Sequence, residues 1–132
     1  MGSLQVVLLL EDDDDARIIY RDMLDFTGFE VITACDGIEG LRCAEARHPD
    51  VVVTDLHMPG LNGIEVARML RAADDQTPAL IAVTADSLGI RAAEHEAGDA
   101  LLFDEVLVKP VSPGKLVRTV RAYATPPEGT DH

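Results

Sequence analysis

The sequence predicts an α/β fold, a doubly wound parallel sheet with helices on both faces. Three observations predict it. Five short apolar runs alternate with five segments of helical periodicity along 132 residues, the order that builds a parallel sheet with crossover helices. The central run, Val51-Val52-Val53-Thr54, is apolar or β-branched at every position, as suits a strand buried on both faces. Turn formers punctuate the boundaries, and Met58-Pro59-Gly60 just beyond Asp55 is the clearest case.

Taken in order, Leu4 to Leu10 is a continuous apolar strand broken only by Gln5, and the acidic run Glu11 to Asp15 ends it. The spacing of Ala16, Ile19, Tyr20, Met23, Leu24 and Thr27 predicts a helix from about Asp14 to Thr27 with those residues on its core face. Asp14 or Asp15 caps it, and Gly28 stops it. Glu30 to Ala34 is the second strand. Asp36 caps a helix running to about His48, which Pro49 ends. Val51 to Asp55 is the third strand, and the loop Leu56 to Asn62 leads to a helix from about Gly63 to Ala73. Pro78 precedes the fourth strand, Ala79 to Thr84, and Asp86 or Ser87 caps the next helix. Ile90, Ala93, Ala97, Ala100 and Leu101 keep helical spacing, so that helix is expected to continue about one turn past Gly98. The fifth strand is about Glu105 to Val108. Ser112-Pro113 opens the last helix, which runs to about Ala124 with Pro in its first turn. Residues 1–124 read as one domain and 125–132 as a polar, Pro-rich tail with nothing to bury.

Composition sets the outer bounds. The chain is long enough for one domain with a real core and too short for two. Its 47% hydrophobic and 27% charged content is that of an ordinary soluble protein. A net charge of −13 argues against nucleic acid and anionic membrane surfaces as partners. It suits a partner with a basic patch, or a site that collects a divalent cation. Cys35 and Cys43 have no metal-ligand spacing and read as reduced thiols in a cytoplasmic protein. No apolar run approaches the roughly 20 residues of a membrane span, so no membrane insertion is expected.

A parallel sheet delivers the carboxyl ends of all its strands to one edge, where open α/β sheets place their ligands. The first strand ends in Glu11-Asp12, the third in Asp55, the fourth in Thr84 and the fifth in Lys109-Pro110. Alone, a carboxylate at Asp55 is a nucleophile, a metal ligand or a helix cap. Together, three carboxylates, a hydroxyl and an ammonium should converge on one cleft. Packed carboxylates repel unless a cation joins them, and hard oxygen ligands with open positions suit Mg²⁺. This is the equipment for moving a phosphoryl group onto Asp55: a carboxylate nucleophile, a metal and Lys109 for the equatorial oxygens, and Thr84 to orient. A calcium loop of the EF-hand type fails, because Asp12 to Arg17 lacks both the fifth-position oxygen and the central Gly.

On these residues the chain resembles a response-regulator receiver domain of two-component signalling, over roughly Val6 to Ala124. The resemblance implies a flavodoxin-like fold with strand order 2-1-3-4-5. It implies that Glu11 and Asp12 hold Mg²⁺ with Asp55, the phosphoacceptor in an Asp-x-x-Met-Pro-Gly context. The backbone carbonyl of His57 would complete the protein's share of the metal shell. Thr84, followed by the small Ala85, matches the switch hydroxyl. Lys109, followed by Pro110 in a cis bond, matches the phosphate-binding lysine. The implied partner is a sensor histidine kinase or histidine phosphotransfer domain, with a homodimer as a further option. The implied activity is phosphotransfer to the chain's own Asp55 and slow autodephosphorylation, not turnover of an external substrate. No output domain is present in the chain, which reads as a stand-alone regulator or a piece of a hybrid kinase or larger regulator.

Two features depart from the family pattern. Val106 stands three residues before the lysine, where an aromatic side chain is usual. The segment Gly98 to Glu105 is longer than the usual connection by about four residues. Two residues outside the strand ends are also singled out. Ile18 falls opposite the core face of the first helix and is either an isolated exposed apolar residue, the commoner case, or a docking contact for a helical phosphodonor. His57 and Asp86, two residues beyond Asp55 and Thr84, should border the path of an attacking water and set the lifetime of an acyl phosphate. Two other readings compete. A phosphohydrolase of the haloacid dehalogenase type needs Asp-x-Asp-x-Thr/Val after the first strand, and Asp12-x-Asp14-x-Ala16 fails at its last position. A non-phosphorylated interaction module is disfavoured because every charged position is intact.

Overall fold

A computed structural model describes residues 5–73, 77–85 and 102–124. In it the chain runs β1 (Val6–Leu10), α1 (Asp14–Phe26), β2 (Glu30–Ala34), α2 (Gly37–Arg47), β3 (Val51–Asp55), α3 (Gly63–Ala73), β4 (Ala79–Thr84), β5 (Glu105–Val108) and α4 (Pro113–Tyr123). The helix expected after Asp86, its continuation past Gly98 and the 125–132 tail lie outside the described residues. Leu102, at the end of that expected continuation, is already in a bend.

The five strands pair in parallel in the order β2-β1-β3-β4-β5, the expected flavodoxin-like arrangement. Strand alternation sends successive side chains to opposite faces and so builds two cores. Val7, Leu9, Val51, Val53, Ile81 and Val83 meet Tyr20 and Leu24 of α1 and Leu116, Val117 and Val120 of α4. On the other face Leu8, Leu10, Val52, Leu80 and Ala82 meet Ala44 of α2 and Val66 and Ala67 of α3. All five residues of β3 are buried, as the unbroken apolar run predicts. Leu102 and Phe103 enter the second core just before β5, and Val106 packs against it. The Asp104 carboxylate accepts from the Leu80 amide at 2.8 Å, while the Arg71 guanidinium donates to the Leu102 carbonyl at 3.0 Å. These contacts fasten the approach to β5 onto the start of β4 and the end of α3.

Helix α1 corrects two expectations. Its cap is Asp13, not Asp14 or Asp15: the Asp13 carboxylate accepts from the Ala16 amide at 2.8 Å. The cause is Glu11, whose own carboxylate accepts from the Asp13 amide at 3.1 Å. That bond accompanies an extended Asp13, so the helix begins at Asp14, as the spacing predicts, and Asp14 and Asp15 fall in its first turn rather than capping it. The buried stripe is also narrower than expected. Tyr20 and Leu24 are buried, but Ile19 is 52% and Met23 37% exposed. Each lies one position away on the wheel, rotated by about 100°, on the helix flank rather than its underside. Ile18 is exposed as expected.

Elsewhere the caps follow the sequence. Asp36 caps α2 and Ser112 caps α4, with Pro113 in the first turn. At α3, Asn62 and Glu65 exchange side-chain-to-amide bonds at 2.9 and 3.0 Å, a capping box that fixes the helix directly behind the Asp55 loop. No helix among the described residues is long and apolar enough to cross a membrane.

Gly63 shows how closely α3 approaches the end of β3. A Cβ there would lie 2.4 Å from the Asp55 carbonyl oxygen, a backbone atom with little room to move. A Cβ at Gly114, in contrast, would meet its nearest neighbour at 3.5 Å. Gly63→Ala is therefore expected to lower the unfolding free energy by about 1–3 kcal/mol. Gly114→Ala should leave it unchanged or raise it by about 0.5 kcal/mol. Urea titration of both variants checks the contrast, and equal midpoints would contradict the close approach.

Candidate functional site

The strand register brings the acidic residues to one level. Leu10 pairs with Thr54 across the β1–β3 ladder, so Glu11 follows β1 beside Asp55. This is also where the connectivity reverses direction, the crevice in which open α/β sheets bind ligands. Carboxylate oxygens of Glu11, Asp12 and Asp55 lie within 4.8 Å of one another. Glu11 is 2% and Asp55 7% exposed, whereas Asp12 faces solvent.

One cation reaches this group from the far end of the sheet. The Lys109 Nζ lies 2.8 Å from Asp55 Oδ2 and 3.3 Å from Glu11 Oε1. The Lys109 amide donates to the Thr84 carbonyl at 2.8 Å, and the Lys109–Pro110 peptide is cis. The other Asp55 oxygen, Oδ1, accepts from the His57 amide at 3.0 Å. The His57 residue itself is exposed, so its backbone is what meets the carboxylate. Thr84 is fully buried at the end of β4, one residue past Val83, the partner of Asp55 in the ladder. Asp86 lies outside the described residues. The predicted residues Glu11, Asp12, Asp55 and Lys109 thus stand together, with Thr84 and the His57 backbone at their border.

Electrostatics make the group strained. Burial pushes the Glu11 carboxyl above the usual glutamate range, and the nearby Asp55 charge adds to this. The Asp13 amide and the Lys109 charge pull the other way without cancelling it. At Lys109 burial opposes the charge, but the hydrogen bond to Asp55 and the charges of Glu11 and Asp55 outweigh it. The ammonium is held above the usual lysine range. Three carboxylates and one ammonium leave two negative charges in excess. The donors are hard oxygens, one of them solvent-facing, which fits a divalent ion that keeps waters or accepts phosphate oxygens.

Two contributors were not apparent from the sequence. The Arg17 Nη1 donates to the Glu11 carbonyl at 2.9 Å while its Nη2 pairs with Asp14. The Tyr20 hydroxyl donates to the Val111 carbonyl at 3.1 Å, beyond Lys109-Pro110. Both partners are backbone carbonyls, which no residue type announces. A second group of potential ligand atoms, Cys35, Asp36 and Glu39, is accounted for by the start of α2. Asp36 caps the Glu39 amide, and Glu39 in return accepts from the Cys35 amide at 2.9 Å. The Cys35 thiol also donates to Glu39 Oε1, at 3.4 Å, and this bond pushes the thiol up, away from thiolate chemistry.

Residues 7–121 match the family described as response regulator receiver domain. The transcriptional regulatory protein PrrA of Mycobacterium bovis is 40% identical over 116 residues, which cover 88% of this chain and 48% of PrrA. The response regulator MprA of a Mycobacterium species is 38% identical over 128 residues, 95% of this chain and 54% of MprA. The chain spans about half the length of the curated relatives it matches. The receiver domain of the sensor histidine kinase PA1611 from Pseudomonas aeruginosa PAO1 was solved with a magnesium ion coordinated in its active site cleft. It is 30% identical and superposes with a TM-score of 0.79, over 92% of this chain and 98% of that one.

The Glu11 environment has a measurable consequence for stability. A carboxyl whose pKa is raised on folding binds its proton more tightly in the folded state. The stability it contributes is full below the ordinary value of 4.5 and declines as pH rises through the folded value. In chelator-treated buffer Glu11→Gln, which keeps an acceptor for the Asp13 amide, should exceed the parent in stability at neutral pH. The difference should shrink as pH falls toward 4.5. Urea midpoints across that range check it, and a difference independent of pH would show that Glu11 pays no burial cost.

Proposed function

The chain belongs to the response-regulator receiver family of two-component signal transduction, and from that premise we propose that it accepts a phosphoryl group on Asp55 from a phosphohistidine. The observation that carries this reading is the contact of Asp55 Oδ2 with the Lys109 ammonium in a half-enclosed acidic cleft. Asp55 would attack phosphorus through a carboxylate oxygen as the bond from phosphorus to the histidine nitrogen breaks. The leaving imidazole nitrogen keeps the electron pair and takes up a proton. The His57 amide, holding Oδ1, orients the carboxylate for the attack. Lys109 exchanges its contact with Oδ2 for a phosphoryl oxygen, and the Thr84 hydroxyl donates to another. Glu11, Asp12, Asp55 and the His57 carbonyl would hold Mg²⁺, which supplies positive charge to the phosphoryl oxygens when bound. The acyl phosphate adds negative charge at a strand end, and Thr84 and Lys109 moving inward toward it would bias the adjoining loops toward a second state. Slow hydrolysis of the acyl phosphate ends the signal, and His57 borders the path of the attacking water. The chain is a signalling substrate of its own reaction, not an enzyme that turns over an external one.

The donor is proposed to be a helical domain of a sensor histidine kinase or a histidine phosphotransfer protein. Helix α1 leaves the acidic cleft directly after Asp13 and exposes Ile18, Ile19, Met23 and Phe26, the last 88% exposed. Exposed apolar side chains in such a row mark a protein contact. Interleaved acids at 14, 15, 22 and 25 favour a partner with basic residues at its rim. The curated relatives are response regulators about twice as long, and an effector that receives the signal is part of this proposal. A cytoplasmic site of action follows from the same reading.

Intact mass after incubation with acetyl phosphate and Mg²⁺ tests the chemistry. One phosphoryl group is expected on the parent, none after chelation and none on Asp55→Ala. An adduct that persists on Asp55→Ala would place the acceptor elsewhere. Docking is tested separately. Ile18→Asp should slow transfer from a phosphohistidine protein donor at least tenfold, roughly the effect of burying one unpaired charge in an interface, while acetyl phosphate labels it at the parental rate. Equal loss in both assays would refute the docking role.

A further inference from the structure

The loop from Lys109 to Ser112 joins β5 to α4 and carries the ammonium of the site. Among the described residues, one contact ties its backbone to β4 and one to α1. On the strand side the Lys109 amide donates to the Thr84 carbonyl at 2.8 Å. On the helix side the Tyr20 hydroxyl donates to the Val111 carbonyl at 3.1 Å, and this bond is buried. Tyr20 is 91 residues distant in sequence, on α1, with its ring in the same apolar cluster as Val111, Leu116 and Val117. Burial holds the hydroxyl above the usual tyrosine range, with smaller and opposing effects from the Lys109 charge and from Glu11 and Asp55. A purely apolar side chain would pack into that cluster as well. The hydroxyl adds one thing, a partner for a buried carbonyl that would otherwise be orphaned at a cost.

We infer that Tyr20 is a positioning residue for Lys109: its hydroxyl pins the Val111 carbonyl and thereby sets where the ammonium enters the carboxylate group. The inference rests on the reading of Lys109 given above. Tyr20 donates from its hydroxyl to the loop backbone and acts through the loop. It also joins the loop to the helix whose flank carries Ile19 and Met23. A partner seated on α1 is therefore one buried hydrogen bond away from the backbone that presents the lysine.

The chain has two lysines, Lys109 and Lys115, which makes the test direct. Protein labelled with [13Cε]lysine gives two side-chain signals, and Lys115 on α4 serves as the internal reference. Tyr20→Phe keeps the ring and removes only the hydroxyl. The Lys109 signal is expected to move toward that of Lys115. The Lys109, Val111 and Ser112 amides should exchange about fivefold to tenfold faster relative to Val52 and Val53, the effect of one lost buried hydrogen bond. Phosphorylation by acetyl phosphate should slow severalfold. An unmoved Lys109 signal, or loop and strand amides quickening by the same factor, overturns the inference and leaves Tyr20 a core residue. An unchanged phosphorylation rate overturns it as well. If the parent protein takes up no phosphoryl group, the reading of Asp55 fails instead, and the lysine signal with the exchange ratio still decides the role of Tyr20.

Discussion

Lys109 lies 2.8 Å from Asp55 and 3.3 Å from Glu11, and the architecture around it is arranged to keep that contact in place. Two buried carboxylates on adjacent strands would repel each other and shed their charge in an apolar crevice. The ammonium that offsets them comes from β5, at the far side of the sheet from β2. It reaches the cleft because β4 ends at Thr84, whose carbonyl takes the Lys109 amide. The offset is partial, and the residual negative charge gives the cleft its demand for a further cation.

Helix α1 shares in that arrangement. Arg17 holds the Glu11 carbonyl, Asp13 turns the chain away from β1, and Tyr20 reaches the loop after Lys109. One helix thus touches the backbone on both sides of the charged group. Its inner face belongs to the core and its outer flank is apolar and exposed. Helix α3 does the corresponding work behind Asp55, where Gly63 lets it approach the strand end and the Asn62–Glu65 exchange fixes its start.

The strands and the gathering of charges were legible in the sequence because each is written in residue type. A strand buried on both faces must be a continuous apolar run, as β3 is, and β2, β4 and β5 also begin and end where the sequence places them. Parallel topology then sends every strand end to one edge, which brings Glu11, Asp12, Asp55 and Lys109 together without further information. Contacts that end on backbone atoms were not legible. Arg17 drew no reading toward the site and Tyr20 read as core, since their partners are carbonyls. The Asp13 cap was missed because five consecutive acids offer equivalent candidates, and only the buried Glu11 side chain selects among them. Ile19 and Met23 read as core because helical spacing alone does not say how wide the covered stripe is.

The position of Lys109 in the chain bears on how the protein is made. Synthesis proceeds from the N-terminus, and the sheet can begin to assemble before its last strand has left the ribosome. The strands that carry Glu11 and Asp55 are neighbours, β1 and β3, whereas the lysine follows Asp55 by 54 residues. A nascent sheet therefore holds the acids before it holds their counter-charge. Strand β5 is four residues long with a half-exposed Val108, a weak edge by apolar burial alone. Lys109, just past its end, adds ion pairs with Asp55 and Glu11 to that edge, so the charge group fastens the last strand as well as equipping the cleft.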